Sequence, residues 1–360
     1  MKVLIAGGGT GGHLFPAVAV GAELCRQSPT SEVLYVGATN GLEARWLPSQ
    51  GLPHTLLRVR GWTGKGLLTR LRAAGEFAAA VRRARTVMRN FGANLVVGAG
   101  GYASAPVALA AILMRIPLIL LEQNVRPGVA NRMLWRLARK VCVGFPDAAA
   151  AFAPAKVVVT GNPIRYALSP RTTPGPSEPL QILVLGGSSG AHRLNIGVLK
   201  AFSIWAKAVI KLTHQTGEMD VGMVRDGYQA LGRPATVVPF IDDMGSALGA
   251  ADLVVARSGA MTVAEVAFAG CPAIFVPYPF HRDRQQELNA RVIARRGGAR
   301  IVYDDEQLGE NLAKVLDELT AERPRLRMMG QAAASVAMPH AAEKIAALCL
   351  ATVFGEERPG

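Results

Sequence analysis

The sequence predicts an α/β protein with two doubly wound parallel-sheet domains that face a deep cleft. Short apolar, β-branched runs alternate with longer helical patterns along the 360 residues, which is typical of parallel sheets with right-handed crossovers. Each half opens on an apolar strand that runs into a glycine turn, in KVLIAGGGTGGH and QILVLGGSSGAH. The proline-rich stretch 161–179 separates the halves, because neither a helix nor a central strand tolerates that many prolines.

In the first half we predict buried strands at residues 3–6, 33–36, 95–97, 118–121, 141–143 and 157–159. The helical patterns between them cover residues 16–27, 67–91 and 105–115. Residues 105–121 are the most apolar stretch, but Arg115 and two prolines interrupt it. We therefore expect a buried helix followed by a buried strand there, and no bilayer span.

The second half begins with the apolar run QILVL and continues with predicted strands at residues 211–214, 236–239, 253–256, 273–277 and 299–302. A helix is predicted to begin after Arg257 and to end at Gly270, just before a proline. In doubly wound sheets, ligands bind beyond the carboxyl ends of the strands. The two glycine turns are therefore candidate binding sites.

The composition points to an anionic partner. The formal net charge is +14, and nine basic residues but only one acid lie between Arg58 and Arg89. Trp62 and several leucines interleave with these charges, which fits docking on anionic lipid but equally an amphipathic helix with a solvated arginine face. No helix-turn-helix, RNP or zinc pattern accompanies the charge, so we expect no nucleic-acid partner. The four dispersed cysteines suggest neither a zinc site nor a disulfide framework.

The first glycine loop matches the dinucleotide pattern G-x-G-x-x-G only in part. Gly7, Gly9 and Gly12 fit, but no acid follows the second strand, and Glu32 precedes it. Neither glycine loop carries the G-K-[ST] of a P-loop. The helix after each loop still aims N–H groups at a ligand, which suits a phosphate.

Three later features each have a structural and a functional interpretation. The serines of Gly186–Ala191 could bind a phosphate or simply cap the next helix. Glu265 could accept hydrogen bonds from a ribose or form a capping box with Thr262. Four polar side chains follow residue 282, namely Asp283, Gln285, Gln286 and Asn289. They could bind sugar hydroxyls, or they could belong to a solvated loop and a helix cap.

Eight motifs occur in order between about residues 3 and 300: GGTGGH, GGYAS, EQN, GNPIR, GGSSGA, FIDDM, RSGAMTVAE and DRQQELNA. With them the chain closely resembles the MurG family of peptidoglycan N-acetylglucosaminyltransferases. The resemblance implies a GT-B fold and the transfer of GlcNAc from UDP-GlcNAc to lipid I, which is undecaprenyl-pyrophosphoryl-MurNAc-pentapeptide, to give lipid II. It also implies a peripheral enzyme on the cytoplasmic face of the bacterial inner membrane, and no cofactor.

The resemblance also implies a separate role for each part of the chain. Residues 1–162 would form the acceptor and membrane-docking domain, 163–179 a linker, and 180–338 the UDP-GlcNAc domain. Residues 339–360 would carry a last helix, from Ala341 to Phe354, that crosses back to the N-terminal domain. The donor contacts would be Arg165, Ser188, Ile241, Ala260, Met261, Thr262, Val263, Ala264, Glu265, Gln285 and Gln286. Thr10, Gly11, Gly12 and Asn124 would close the site from the acceptor domain, where the first glycine loop would face the pyrophosphate of the acceptor.

For the chemistry we expect an inverting single displacement. The C4 hydroxyl of MurNAc attacks the anomeric carbon while UDP leaves from the opposite face. His13 is the candidate base because imidazole titrates near neutral pH, although it could instead only orient the loop or the acceptor. Catalytic roles are also assigned to Glu265 and Gln286. No D-x-D pair lies near either glycine loop, so we expect no required metal.

Three alternatives remain open at this point. The chain could be another GT-B transferase for a UDP-sugar or a UDP-GlcNAc 2-epimerase, both with a related fold. It could also be a nucleotide-binding protein without activity. The pairing of GGTGGH with RSGAMTVAE favours the transferase.

Overall fold

A computed structural model describes residues 1–59, 67–164, 179–187, 190–205, 210–281 and 283–355, with side chains in the second range from residue 73 onward. The chain forms two compact units. Unit 1 contains Met1–Arg165 and His340–Gly360, and unit 2 contains Tyr166–Pro339. Nearly all of the expected linker, residues 163–179, lies outside the described residues.

Unit 1 is built on a parallel sheet of seven strands in the order β3-β2-β1-β4-β5-β6-β7. The strands are β1 (Lys2–Ala6), β2 (Glu32–Ala38), β3 (His54–Leu57), β4 (Leu95–Gly98), β5 (Leu118–Glu122), β6 (Lys140–Val143) and β7 (Val157–Val159). All six predicted strands are confirmed. We did not predict β3, because His54 and Thr55 interrupt its short apolar pattern.

The helices of unit 1 are α1 (Gly11–Gln27), α2 (Glu43–Ser49), α3 (Leu67–Phe91), α4 (Ser104–Leu113) and α5 (Val129–Leu134), with a 3-10 helix at Pro146–Ala151. The prediction for the start of α1 was wrong. Proline favours the first turn, which suggested Pro16, yet the helix already begins at Gly11. Helix α4 ends before the predicted boundary because Arg115 adopts a left-handed φ of 57°.

The last helix of the chain packs within unit 1. Ile345, Ala346 and Cys349 share a buried cluster with Leu14 and Val20 of α1. The Gln27 side chain also donates a hydrogen bond to the Glu343 carbonyl, at 3.2 Å. Residues Ala341–Phe354 therefore complete the core on one face of the unit 1 sheet.

Unit 2 contains a parallel sheet of six strands in the order β10-β9-β8-β11-β12-β13. These are β8 (Leu180–Leu185), β9 (Ile210–Gln215), β10 (Thr236–Val238), β11 (Leu253–Ala256), β12 (Ala273–Phe275) and β13 (Ala299–Ile301). The predicted strands of this half are confirmed, with ends that differ by one or two residues. Apolar runs made most of them recognisable, and those of β11 and β12 are buried on both faces.

The helices of unit 2 cover both faces of its sheet. They are α6 (His192–Ile204), α7 (Val221–Ala230), α8 (Met244–Ala250), α9 (Ala260–Ala269), α10 (Gln285–Ala294), α11 (Leu308–Thr320) and α12 (Arg323–Ala334); α13 (Ala341–Phe354) is the last helix of unit 1. Helix α9 ends at Gly270, which takes the left-handed conformation expected of a helix C-cap.

Both sheets reverse their strand order beside their first strand, between β1 and β4 in unit 1 and between β8 and β11 in unit 2. Such a topological switch point leaves a crevice at the carboxyl ends of the strands. The glycine loop of each unit leaves the sheet at this point. Within the described ranges, no helix is long and apolar enough to cross a bilayer.

Candidate active site

The second glycine loop leaves β8 at the switch point of unit 2. Gly187 and Gly190 have φ values of 85° and 76°, a conformation that favours glycine. A Cβ at Gly190 would lie 2.6 Å from the Thr216 carbonyl oxygen, so the turn also needs glycine for space. Ala191 is the N-cap of α6, and the serine cap considered above is therefore wrong. Ser188 lies outside the described residues.

Gln215, the last residue of β9, holds this loop in place. Its side chain accepts a hydrogen bond from the Gly187 N–H at 3.1 Å and returns one to the Gly187 carbonyl at 3.1 Å. The same amide donates to the Pro239 carbonyl at 2.9 Å. Ile241, the expected uracil contact, follows two residues later and is half-buried. One buried side chain thus connects the expected diphosphate and base loops.

The segment after β11 begins a second helix at the same switch point. Gly259 is the N-cap of α9, and Thr262 lies inside the helix, so the capping box with Glu265 does not form. Glu265 is half-buried, as are Thr262 and Ala264. The side chains of Ala260, Met261 and Val263 are buried in the core. We therefore assign any ligand contact of those three residues to their backbone.

A buried carboxylate that we did not predict connects both helix starts. Asp304, which follows β13, accepts a hydrogen bond from Arg257 at 2.7 Å and another from Arg193 at 2.7 Å. Arg193 lies in the first turn of α6, and Arg257 lies two residues before Gly259, the N-cap of α9. Arg257 also donates to the carbonyls of Val276 and Pro277. Asp304 therefore fixes the two loops of the switch point relative to each other.

The polar residues of α10 divide into two groups. Gln285 and Gln286 are half-buried, and the Gln286 side chain accepts a hydrogen bond from the Tyr278 N–H at 3.0 Å. Asn289 is fully buried and donates to the Ser258 carbonyl at 3.3 Å. Its proposed role in reading sugar hydroxyls is therefore wrong, and it supports the start of α9 instead.

A buried polar network lies behind the second glycine loop. His214 contacts the Tyr228 hydroxyl at 2.9 Å and the Asn195 side-chain oxygen at 3.1 Å. Asn195 in turn donates to Asp220 at 2.7 Å, and Asp220 contacts His192 at 2.9 Å. Burial lowers the pKa of His214 to about 3. The imidazole is therefore neutral in the folded protein at pH 7.

This network predicts acid sensitivity. The unfolded chain binds a proton at His214 below pH 6.5, whereas the folded chain does so only near pH 3. Between pH 6.5 and 5 the free energy of unfolding should therefore fall by about 2 kcal/mol through this group alone. Urea unfolding of wild type and His214→Gln across this range measures the difference. Equal slopes with pH in the two proteins would contradict the prediction.

In unit 1, His13 is the third residue of α1, at the switch point between β1 and β4. Its Nδ1 is buried and has no hydrogen-bond partner among the described residues. A Cβ on Gly100 would lie 2.6 Å from that nitrogen, and one on Gly101 would lie 2.0 Å from the Gly8 carbonyl oxygen. The GGYAS motif therefore needs its glycines so that the loops after β1 and β4 can pack together.

Burial lowers the pKa of His13, while Gln123, the Ala99 carbonyl and the negative charge of Glu43 act in the opposite direction. Because burial dominates, the imidazole is neutral at pH 7, which is the form that accepts a proton. The neighbouring residues Thr10, Gly11 and Gly12 form the N-cap and first turn of α1, and Thr10 is exposed.

The EQN motif places Asn124 on a loop held by a buried carboxyl. Glu122 accepts hydrogen bonds from the backbone N–H groups of Asn124 at 3.0 Å and Gly128 at 2.8 Å, and from the Asn131 side chain at 2.8 Å. Burial raises the pKa of Glu122. This glutamate belongs to the EQN motif, but we predicted no role for it. Arg165, the remaining predicted site residue, lies outside the described part of the chain.

Comparisons with known proteins bear on this arrangement. The glycosyltransferase family 28 N-terminal domain matches residues 3–143, and the glycosyltransferase family 28 C-terminal domain matches residues 181–345. A Syntrophotalea carbinolica protein is 43% identical over 97% of this chain and 98% of its own length. It is named UDP-N-acetylglucosamine--N-acetylmuramyl-(pentapeptide) pyrophosphoryl-undecaprenol N-acetylglucosamine transferase. The chain belongs to the MurG family. A Geobacter sulfurreducens protein of the same name is 40% identical over 99% of this chain and 100% of its own.

Solved structures agree with this assignment. The crystal structure of Acinetobacter baumannii MurG has a TM-score of 0.77 and 32% identity, and it covers 97% of this chain and 98% of its own. This MurG-family chain therefore has the GT-B fold. A UDP-GlcNAc 2-epimerase from Neisseria meningitidis also matches, with a TM-score of 0.67 and 15% identity, and it covers 97% of this chain and 100% of its own. At that identity the likeness shows the fold alone.

Proposed function

We propose that the chain transfers GlcNAc from UDP-GlcNAc to the C4 hydroxyl of MurNAc in lipid I, with inversion, to form lipid II. The observation that carries this proposal is the 43% identity, over nearly the full length, to a protein named as that transferase. The two glycine loops and the helix starts at both switch points support it, because they suit substrates that each contain a diphosphate.

Unit 2 takes the donor in this proposal. The diphosphate lies on the Gly186–Gly190 turn and the N-terminus of α9. Ser188 of this unit and Arg165 of unit 1 are proposed as further contacts of the diphosphate. Glu265 accepts hydrogen bonds from the two ribose hydroxyls, since an ionised carboxylate is an acceptor only. The Ile241 backbone reads the uracil edge. Gln286, with Gln285 next to it, contacts the GlcNAc hydroxyls.

Unit 1 takes the acceptor. The backbone of Thr10, Gly11 and Gly12 at the start of α1 faces the lipid pyrophosphate, and Asn124 lies on the same edge of the sheet, where β5 ends. His13 accepts the proton of the attacking hydroxyl. Its neutral imidazole and its place at the α1 start support this role.

The reaction is one displacement. The acceptor O4 forms a bond to the anomeric carbon of GlcNAc, and the bond from that carbon to the diphosphate oxygen breaks. The hydroxyl proton passes to His13, and the electron pair leaves with UDP. The N-termini of α6 and α9, together with Arg165, stabilise the charge that develops on the diphosphate. The proposal requires neither a cofactor nor a metal.

Product analysis tests the proposed function against its alternatives. The chain is incubated with UDP-GlcNAc and a short-chain lipid I analogue, and products are identified by mass and NMR. We expect the acceptor to gain one β-linked N-acetylhexosamine while UDP appears in equal amount. Conversion of UDP-GlcNAc to its C2 epimer with an unchanged acceptor would identify an epimerase. Transfer only from another UDP-sugar would identify a different transferase.

We also propose that unit 1 docks on anionic lipid at the cytoplasmic face of the inner membrane. Val129, Met133 and Leu137 are exposed and spaced four residues apart around α5. Arg132, Arg136 and Arg139 beside them are exposed as well. An apolar ridge flanked by arginines suits an interface with acidic headgroups.

Helix α3 supports a different interpretation for its own arginines. Ala80, Ala84 and Met88 are buried, while the basic residues between them are exposed; these are Arg82, Arg83, Arg85 and Arg89. From residue 73 onward, α3 is thus an amphipathic helix with a solvated arginine face. Trp62 and the side chains of Leu67, Leu68 and Leu71 lie outside the described part of the chain.

Vesicle binding tests the docking surface. We expect Met133→Glu to lower the fraction bound to vesicles with anionic lipid at least tenfold, because it puts a negative charge on the apolar ridge. Met328→Glu is the matched control, since Met328 is equally exposed but belongs to unit 2. Transfer to a water-soluble acceptor should stay unchanged in both. Equal binding by both variants, or equal binding to neutral vesicles, would count against this surface.

A further inference from the structure

We propose that Glu43 is a positioning residue for the acceptor: its buried carboxylate holds the first glycine loop in the conformation that binds the lipid pyrophosphate. Glu43 is the first residue of α2 and is fully buried. We predicted no role for it from the sequence. The inference rests on the function proposed above, because it concerns the same loop.

Two short hydrogen bonds define its contacts. One carboxylate oxygen accepts from the Gly9 N–H at 2.7 Å, and the other accepts from the Ala38 N–H at 2.7 Å. Gly9 belongs to the loop after β1, and Ala38 ends β2. No ion pair to Glu43 occurs among the residues that the structure describes. The carboxylate thus connects two neighbouring strand ends through backbone amides alone.

Three glycines make room for this one side chain. A Cβ at Gly8, Gly37 or Gly41 would lie 2.2, 2.2 or 2.3 Å from an atom of Glu43. Contacts that short do not occur in folded proteins, so each of these positions requires glycine while Glu43 stays in place. The three glycines and the Glu43 carboxylate therefore depend on each other in this fold.

The same contacts explain why the first loop is no dinucleotide site. The dinucleotide-binding fold places an acid near the end of its second strand, where the acid binds a ribose. Glu43 follows β2 by five residues, but it is fully buried, and each of its oxygens accepts a hydrogen bond from a backbone N–H group. The acid whose absence we inferred from the sequence is present, and it acts on the protein instead of on a nucleotide.

The loop that Glu43 holds leads directly into the acceptor residues. Gly9 precedes Thr10, the N-cap of α1, and His13 lies in the first turn. A shift of Gly9 would therefore move the backbone N–H groups that face the pyrophosphate. The charge of Glu43 also acts on the His13 imidazole, where it partly opposes the effect of burial on the pKa. Both effects act on the acceptor residues of unit 1, and neither is expected to change unit 2.

Glu43→Gln is the primary test. The amide keeps the size of the side chain but turns an NH₂ donor toward one of the two backbone N–H groups and removes the charge. We expect the KM for a lipid I analogue to rise at least tenfold and kcat to fall, while the KM for UDP-GlcNAc stays within twofold. A role in folding alone would lower the active fraction without changing either KM. Glu32→Gln, at an exposed end of β2, is the matched control.

Hydrogen exchange provides a readout that does not depend on activity. Amides in residues 7–14 and 36–40 of Glu43→Gln should exchange at least tenfold faster than in wild type, while those of unit 2 stay the same. Unchanged exchange together with unchanged KM values would overturn the inference. If Glu43→Gln does not fold, Glu43→Asp is measured in its place. This variant keeps the carboxylate but shortens its reach, and the KM values and hydrogen exchange test the inference in the same way. A wild type without transfer activity would refute the proposed function, and exchange would still decide the role of Glu43.

Discussion

Replacing His13 with alanine is expected to slow the chemical step of GlcNAc transfer by about 10²–10⁴-fold, the usual contribution of a general base. The imidazole lies at the start of α1, its buried Nδ1 has no hydrogen-bond partner among the described residues, and burial keeps it neutral. Single-turnover transfer from saturating UDP-GlcNAc to a lipid I analogue isolates this step from substrate binding and product release. His340→Asn is the control, because His340 is exposed and far along the chain at the start of α13.

The alternative for His13 is that it only orients the loop or the acceptor. In that case His13→Ala would keep a nearly normal single-turnover rate and show weaker acceptor binding alone. The pH profile adds a second criterion. A base with a lowered pKa stays active below pH 6.5, so the acidic limb of the wild-type profile should lie below that value. A limb above pH 6.5 would contradict His13 as the base.

The second large effect is expected for Asp304→Ala, which should lower the free energy of unfolding by about 3–5 kcal/mol, the usual cost of breaking a buried ion pair. Arg257 and Asp304 expose only 9% and 1% of their side chains, so the remaining guanidinium would stay buried without its counter-ion. The affinity for UDP-GlcNAc should fall as well, because both helix starts at the unit 2 switch point lose their common contact.

Denaturant unfolding and calorimetric titration with UDP-GlcNAc measure these two consequences. Asp305→Ala is the matched control, since Asp305 is exposed and its side chain accepts a hydrogen bond from the Gln307 N–H. Asp305→Ala should lower the free energy of unfolding by about 1 kcal/mol or less. An Asp304→Ala variant as stable as this control, with normal donor affinity, would show that the buried carboxylate does not hold the site together.

The strands other than β3, and the helices α1, α3, α4 and α9, could be predicted because their signals are local. Runs such as Val3–Ala6 and Leu253–Ala256 are buried on both faces, and Gly270 ends α9 through its own backbone conformation. Helix α2 was missed because it has seven residues and contains Pro48, so no periodicity develops. The donor and acceptor candidates came from motifs whose meaning was supplied by family resemblance.

The residues that support the site could not be predicted, because their contacts join distant parts of the chain. Gly9 and Glu43 are 34 residues apart, and Arg257 and Asp304 are 47 apart. Only the strand order brings each pair together. A buried acid or amide without a motif, such as Gln215, resembles any surface residue in the sequence. Gly8, Gly37 and Gly41 make room for Glu43. The sequence does not reveal this, because Gly8 already belongs to the first glycine loop and Gly41 follows Asn40 in a common turn pair.

A crystal structure of the full chain with bound UDP tests the central claim most directly, namely that the switch point of the unit 2 sheet holds the nucleotide. We predict the diphosphate between the Gly186–Gly190 turn and the N-terminus of α9, and both ribose hydroxyls on the Glu265 carboxylate. Uridine bound instead at the Gly7–Gly12 loop of unit 1, or a Glu265 side chain turned away from the ribose, would contradict it.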